Sequence, residues 1–174
     1  MVGGMGIYGK LFALPVLTAM LLSSTGPERD WWRSDAGKVT EYKDRDNVTC
    51  TLILTGHDGD VAFMWNNRLP LRVIVEQPKW NLPDNRMWQV SFRIGDAWLG
   101  GGDGSPDIPA LTAPHGVMFV LDQPIAAMLS TAQSLTVRTP DRVFEMNVPP
   151  NKMRPLVDAL LKCTEQIKRV QVPG

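Results

Sequence analysis

The two cysteines, Cys50 and Cys163, have the most distinctive chemistry among the 174 residues of this chain. Two thiols can form one disulfide, act as nucleophiles or contribute to a metal site. Cys50 lies in the segment NVTCTLILT, where it alternates with polar neighbours and shares a face with Leu52 and Leu54. Cys163 belongs to an apolar stripe at helical spacing, together with Leu156, Leu160 and Ile167. Both cysteine side chains are therefore predicted to point into a core.

The N-terminal residues bear on the choice between these chemistries. Lys10 precedes an unbroken apolar run that ends at Leu22, and small residues follow as far as Gly26. This order is typical of a secretory signal peptide, so residues 1–26 are expected to be cleaved off and the protein to be periplasmic or secreted. The alternative is an uncleaved membrane anchor, but the run is shorter than the roughly 20 apolar residues of a spanning helix. We therefore expect no stable transmembrane span after cleavage.

Export favours a structural disulfide between Cys50 and Cys163, because an oxidising compartment drives an isolated pair of thiols towards a bond. The bond would tie the last helix to an early strand across 113 residues. A catalytic thiol is less favoured, because it needs a base and a partly exposed setting. A zinc site is also less favoured, because the chain has no CxxC spacing.

Other polar motifs give weaker signals for a site. GHDGD, from Gly56 to Asp60, could contribute metal ligands, but its position between two predicted strands favours a hairpin turn in which Gly59 supplies positive φ. GGGDGSPD, from Gly100 to Asp107, lacks the pattern of a calcium loop and is predicted to be a mobile loop. The two histidines, His57 and His115, accompany no GxSxG turn. We predict no catalytic constellation, metal or cofactor, although paired carboxylates for glycoside cleavage stay open.

The six tryptophans suggest two kinds of contact surface. Trp31 and Trp32 precede the first predicted strand in a polar, arginine-flanked context that is typical of partner-binding anchors. In the alternative interpretation, which we favour, this segment folds back over the sheet and covers the rings. Three further tryptophans lie within or beside predicted strands, where burial is the usual reason, but they could also line a ligand-binding cleft: Trp80, Trp88 and Trp98.

The remaining pattern predicts a mainly β protein, either an antiparallel sandwich or a partly closed barrel with a C-terminal helix. Seven alternating segments indicate strands, at 47–55, 61–66, 71–76, 87–94, 116–121, 134–139 and 142–148. Helices are expected near Ile125 to Leu129 and from Lys152 to Arg169. Residues 27–46 are predicted to be an irregular N-terminal arm, and residues 47–174 a single β-rich domain. Basic and acidic residues number 18 each, so no charge excess points to nucleic acid.

From residue 47 to about residue 165, the order of these segments resembles small exported bacterial proteins related to the invasion-associated locus B family. The matching stretches are LRVIV, KWNLPDNRMWQVSFRIG, GVMFVLDQPIAAMLSTAQSLTVRTPDRVFEMN and the helix VDALLKC. The resemblance implies that Cys163 pairs with Cys50. It implies no reaction, because the family name records an association with host-cell invasion.

These observations favour an exported, non-enzymatic protein that acts through protein contacts, in an envelope or host-interaction setting. One alternative is a small-ligand or sugar-binding module, or a hydrolase, with an aromatic-lined cleft. Another is an inhibitor or immunity protein for an exported enzyme.

Overall fold

The computed structural model describes residues 28–44, 47–66, 70–82, 87–105, 116–121 and 125–170. These residues form ten strands and two helices, here numbered in chain order. The strands are β1 (Glu28–Ser34), β2 (Gly37–Asp44), β3 (Asn47–Thr55), β4 (Asp60–Asn66), β5 (Leu71–Glu76), β6 (Trp88–Ile94), β7 (Ala97–Gly104), β8 (Gly116–Leu121), β9 (Ser134–Thr139) and β10 (Arg142–Asn147). The helices are α1 (Ala126–Thr131) and α2 (Pro150–Val170).

The strands form two antiparallel sheets. The first has the order β1-β2-β3-β4-β5-β8, and the second has the order β10-β9-β6-β7. An isolated bridge between Ser105 and Met118 links the end of β7 to β8, where the two sheets meet. The sheets do not close into a barrel, so the sandwich form of the predicted fold is confirmed.

Alternating side chains place the core between the sheets. In β6, Trp88, Val90, Phe92 and Ile94 are buried, whereas Gln89 is exposed and Ser91 and Arg93 are half-buried. The outer face of the first sheet carries a second, smaller apolar cluster of Ile53, Ala62 and Ile74. Each of the central strands β3, β4 and β5 therefore has buried residues on both faces, which explains their nearly continuous apolar composition.

Helix α2 covers the inner face of the first sheet at β1, β2 and β3. Its buried stripe consists of Met153, Leu156, Leu160, Cys163 and Ile167, at the spacing predicted from the sequence. The helix begins at Pro150, two residues before the predicted start. Pro155 consequently lies inside the helix and not in its first turn.

The prediction of an irregular N-terminal arm is wrong over residues 28–44, which form the β1–β2 hairpin at the edge of the first sheet. The alternation in this hairpin is hard to see in the sequence, because almost all of β1 is exposed. A register shift between Asp30 and Trp32 also interrupts the period of two. An edge strand with charged side chains and a bulge therefore resembled a loop.

The prediction of a mobile loop is wrong over Gly100 to Gly104, which belong to β7; of these, Gly101 to Gly104 pair with β6. A Cβ on Gly104 would lie 2.5 Å from both Val117 Cγ2 and Val90 Cγ2. Glycine at this position allows close packing between the sheets where they meet, and it does not indicate a loop. Residues 106–107, together with His115 and the predicted signal peptide, lie outside the described residues.

Candidate functional site

The predicted disulfide between Cys50 and Cys163 is confirmed. The two Cα atoms are 5.9 Å apart, and both side chains are fully buried. The bond joins β3 to α2 across a sequence separation of 113 residues. Because both sulfur atoms are consumed in a buried bond, neither cysteine acts as a nucleophile or a metal ligand in this state.

The disulfide joins α2 to β3, the strand with which the N-terminal β1–β2 hairpin pairs. Strand β2 pairs with β3 along its whole length, with Glu41 opposite Cys50, and β1 pairs with β2. Helix α2 packs on all three strands from the inner side. The β1–β2 hairpin is therefore held both by sheet hydrogen bonds and by a helix that is covalently tied to its neighbouring strand.

Trp31 has a structural role in this hairpin. Its indole Nε1 donates a hydrogen bond of 2.8 Å to Oε2 of Glu41, a side chain that is almost completely buried. The ammonium of Lys43 lies 2.8 Å from the other oxygen of Glu41. The guanidinium of Arg29 stacks over the Trp31 ring, 4.3 Å from its centroid. Trp31 is therefore half-buried, but the segment extends the first sheet at its edge and does not fold back over it, contrary to the favoured interpretation.

Trp32 differs from its neighbour in exposure. Its side chain is 45% exposed, the largest exposed aromatic residue among those described. In the strand register, Asp30 lies opposite Thr40 and Trp32 lies opposite Val39, so Trp31 is the additional residue of a bulge. An exposed ion pair of 2.8 Å between Arg33 and Asp30 flanks the ring. Trp32 is thus an aromatic side chain on a fixed backbone, with both charges nearby.

The aromatic-lined cleft is not formed by Trp80 and Trp88, which are 3% and 4% exposed and belong to the core. The ring of Trp80 packs edge-on against Phe144, with ring centroids 6.4 Å apart. The side chain of Trp98 lies outside the described residues. Burial leaves neither Trp80 nor Trp88 available for stacking against a ligand.

Three of the clefts that the described residues line contain no tryptophan in their linings. The largest, of about 490 Å³, lies between the β6–β7 turn and α1. The second, of about 370 Å³, lies beside Ser91 and Arg138 on the second sheet. The third, of about 220 Å³, separates the turn Gly56–Gly59 from β10 and contains His57, Asp58 and Glu145.

The predicted turn at GHDGD is confirmed: Gly56 N–H donates to the Gly59 carbonyl at 3.0 Å, between β3 and β4. The predicted reason for Gly59 is wrong, because its φ is not positive. A Cβ at this position would lie 2.1 Å from the carbonyl oxygen of Glu76 on β5. Close approach of a neighbouring strand therefore requires glycine here.

Asp60, the last residue of the motif, is a buried acid. It lies directly opposite Glu76 on β5, and both residues are at most 5% exposed. Burial raises the pKa of Asp60 to about 6, and a hydrogen bond from the backbone of Gly56 opposes that rise. Among the described residues, no group of three or more His, Cys, Asp or Glu side chains could hold a metal ion.

Sequence reasoning missed Glu41 and the outer row of buried residues on the first sheet. Glu41 alternates with Val39 in GKVTEYKD and lies opposite Cys50, so its inward direction was readable once β2 was recognised as a strand. Its burial with Trp31 links the N-terminal hairpin to the core.

No family model, curated protein or solved structure matches this chain. The resemblance to the invasion-associated locus B family stays a prediction from the motifs. Within the part of the chain that the structure describes, neither helix combines the length and the apolar character that crossing a bilayer requires.

Proposed function

We propose that this chain is an exported, non-enzymatic protein that binds another protein through its β1–β2 hairpin. Trp32 is the anchor of that contact. The observation that carries the proposal is the difference between the two adjacent tryptophans. The ring of Trp31 is hydrogen-bonded to Glu41, whereas the side chain of Trp32 is 45% exposed. Exposed aromatic rings on a preorganised backbone are typical of the residues that dominate binding energy.

The surroundings of Trp32 suit a protein partner. Asp30 and Arg33 form an exposed ion pair beside the ring, and Lys38 on β2 lies 3.7 Å from Glu28. An apolar centre with a rim of paired charges is the usual anatomy of a protein interface. The hairpin is anchored through β3 to the disulfide, so binding does not require the backbone to become ordered.

Export is supported by the N-terminal sequence and by the compatibility of a buried disulfide with an oxidising compartment. It predicts that mature protein purified from its own host begins near Gly26 or Pro27 and contains no free thiol. Intact mass measured without reductant tests both points. A mature protein that retains Lys10, or that reacts with a thiol reagent after unfolding, would contradict export.

The binding proposal is tested by Trp32→Ala in a pull-down from envelope extract and from medium, followed by affinity measurement with the purified partner. We expect Trp32→Ala to weaken binding about 30-fold, as for a residue worth at least about 2 kcal/mol. Leu161→Ala is the matched control, because Leu161 is 46% exposed but lies on α2. Equal binding by both variants would contradict the proposal. If the partner is an exported enzyme that loses activity in the complex, the binding serves inhibition or immunity.

A further inference from the structure

The last strand of the second sheet, β10, has an unprotected edge. Among the described strands it pairs only with β9, and its six residues keep an uninterrupted register from Arg142 opposite Thr139 to Asn147 opposite Ser134. It contains neither a bulge nor a proline. Edge strands are usually protected by such features, because their unpaired backbone groups can pair with another chain.

The terminal strand β1 of the first sheet shows that this protein uses such protection elsewhere. Strand β1 carries a bulge at Trp31 and a charged residue at most other positions, and α2 packs against it. No described strand or helix other than β9 packs along β10, although the turn Gly56–Gly59 faces Phe144 to Asn147 across the 220 Å³ cleft. The two edges are therefore not equivalent, and β10 is the one available for an additional strand.

Charge along β10 defines what the additional strand must carry. Glu145 is exposed and borders the 220 Å³ cleft, whose other side holds Asp58 and His57. Lys79 lies 3.1 Å from Asp58 and offsets one of these two carboxylates. The Asn147 end of the strand is therefore acidic and favours a basic side chain opposite Glu145.

The Arg142 end of β10 favours an acidic side chain on the added strand. The Nε–H of Arg142 is buried and has no hydrogen-bond acceptor among the described residues. Val143, the next residue, is 53% exposed. A carboxylate opposite Arg142 would satisfy the buried donor, and a β-branched side chain opposite Val143 would cover it.

We propose that β10 binds an extended peptide segment by strand addition, antiparallel to β10 as in every other pair of this sheet. Numbered from its N-terminus, the segment places a lysine or arginine opposite Glu145, a β-branched residue opposite Val143 and an acid opposite Arg142. This site is separate from Trp32, so the proposal does not rest on the proposed function. Main-chain hydrogen bonds supply affinity, and the three side chains supply register and direction.

The probe is the hexapeptide acetyl-Thr-Thr-Lys-Thr-Val-Glu-amide, labelled with a fluorophore and titrated with the full mature protein in anisotropy measurements. Saturable binding is expected, and the same peptide with alternate N-methylated backbone nitrogens is expected not to bind. Glu145→Lys should weaken binding about fivefold, and a peptide with glutamate in place of its lysine should recover that loss on the variant. No saturable binding, or equal binding of the N-methylated peptide, would overturn the proposal.

Two further measurements locate the site. Val143→Lys should weaken binding, whereas Val120→Lys should not, because Val120 is a similarly exposed valine on β8 of the other sheet. Hydrogen exchange should show new protection of amides in β10 when the peptide binds. Protection confined to β1 would overturn this proposal and leave the Trp32 surface supported. Dimerisation of the protein alone through β10 would make the occupant a second copy and would also overturn it.

Discussion

The indole Nε1 of Trp31 lies 2.8 Å from Oε2 of Glu41. This hydrogen bond connects β1, at the edge of the first sheet, to a residue of β2 that lies opposite Cys50. Glu41 is 2% exposed, so its carboxylate oxygens must accept hydrogen bonds from neighbouring side chains and not from bulk water. The contact fixes one of two adjacent tryptophans and leaves the other available to a partner.

Trp31→Phe is expected to lower the free energy of unfolding by about 1 to 3 kcal/mol. Phenylalanine preserves most of the apolar contact but leaves Glu41 with one donor fewer in a buried position. Urea denaturation measures the loss. Trp32→Phe is the matched control and should change stability by less than about 0.5 kcal/mol, because its ring is largely outside the core. Equal effects of the two substitutions would contradict the assigned roles.

Replacing both cysteines, Cys50→Ala with Cys163→Ala, should lower the free energy of unfolding by about 2 to 4 kcal/mol. The bond closes a loop with a separation of 113 residues, and its loss releases α2 from β3 in the unfolded chain. Thermal unfolding with and without reductant checks this prediction. Reductant should destabilise the native protein and leave the double variant unchanged. A native protein that is insensitive to reductant after prolonged unfolding would contradict the prediction.

Stability should decrease as the pH rises from about 4 to about 6, through the titration of Asp60. Its folded-state pKa of about 6 lies above the unfolded value near 3.8, so the folded protein holds this proton more tightly. The stabilisation is complete below the unfolded pKa and is lost as the pH rises through the folded pKa, by on the order of 2 kcal/mol.

The variant Asp60→Asn isolates this contribution, because an amide is similar in shape but uncharged. It should be more stable than the native protein at pH 7 and nearly equal to it at pH 4. Asp158→Asn, on the exposed face of α2, should leave the pH profile of the unfolding free energy unchanged. A profile that is the same in the native protein and in Asp60→Asn would show that another group is responsible.

Gly59→Ala should be more destabilising than Gly95→Ala. At Gly59, the added Cβ would lie 2.1 Å from the Glu76 carbonyl oxygen, so β4 and β5 would have to separate at that end. At Gly95, φ is +55° but no atom lies within 4 Å of the added Cβ, so the cost is the left-handed backbone alone, about 1 kcal/mol. Denaturant midpoints of the two variants provide the comparison, and a larger loss for Gly95→Ala would contradict it.

The central strands could be predicted from the sequence because both their period and their boundaries are visible there. The predicted ranges of β3, β5, β8 and β9 coincide with those observed, since turn residues or proline bound most of these apolar segments. Strands β1, β2 and β7 could not be predicted in the same way. Exposure and a bulge remove the alternation from β1, buried polar residues such as Glu41 obscure it in β2, and a glycine run removes it from β7.

The candidate site was predictable only in part, for a related reason. The sequence marked Trp31 and Trp32 as a pair, but it did not distinguish the half-buried Trp31 from the exposed Trp32. A bulge displaces one ring relative to the next, and its position depends on pairing with Val39 and Thr40 in the neighbouring strand. The clustered charges near Glu145 and Asp58 are equally invisible in the sequence, because 87 positions separate the two residues.

The distance along the chain between Cys50 and Cys163 also sets the interval between the synthesis of the two thiols. During synthesis, the first thiol leaves the ribosome 113 residues before its mate, a wait of roughly 6 to 20 seconds at bacterial and eukaryotic elongation rates. Throughout that interval Cys50 has no partner thiol in its own chain, so attack of its thiolate on the disulfide of another molecule can give only a mixed disulfide, with release of that molecule's second thiol. The native bond forms only after Cys163 has emerged, either from free Cys50 or by attack of the Cys163 thiolate on such a mixed disulfide.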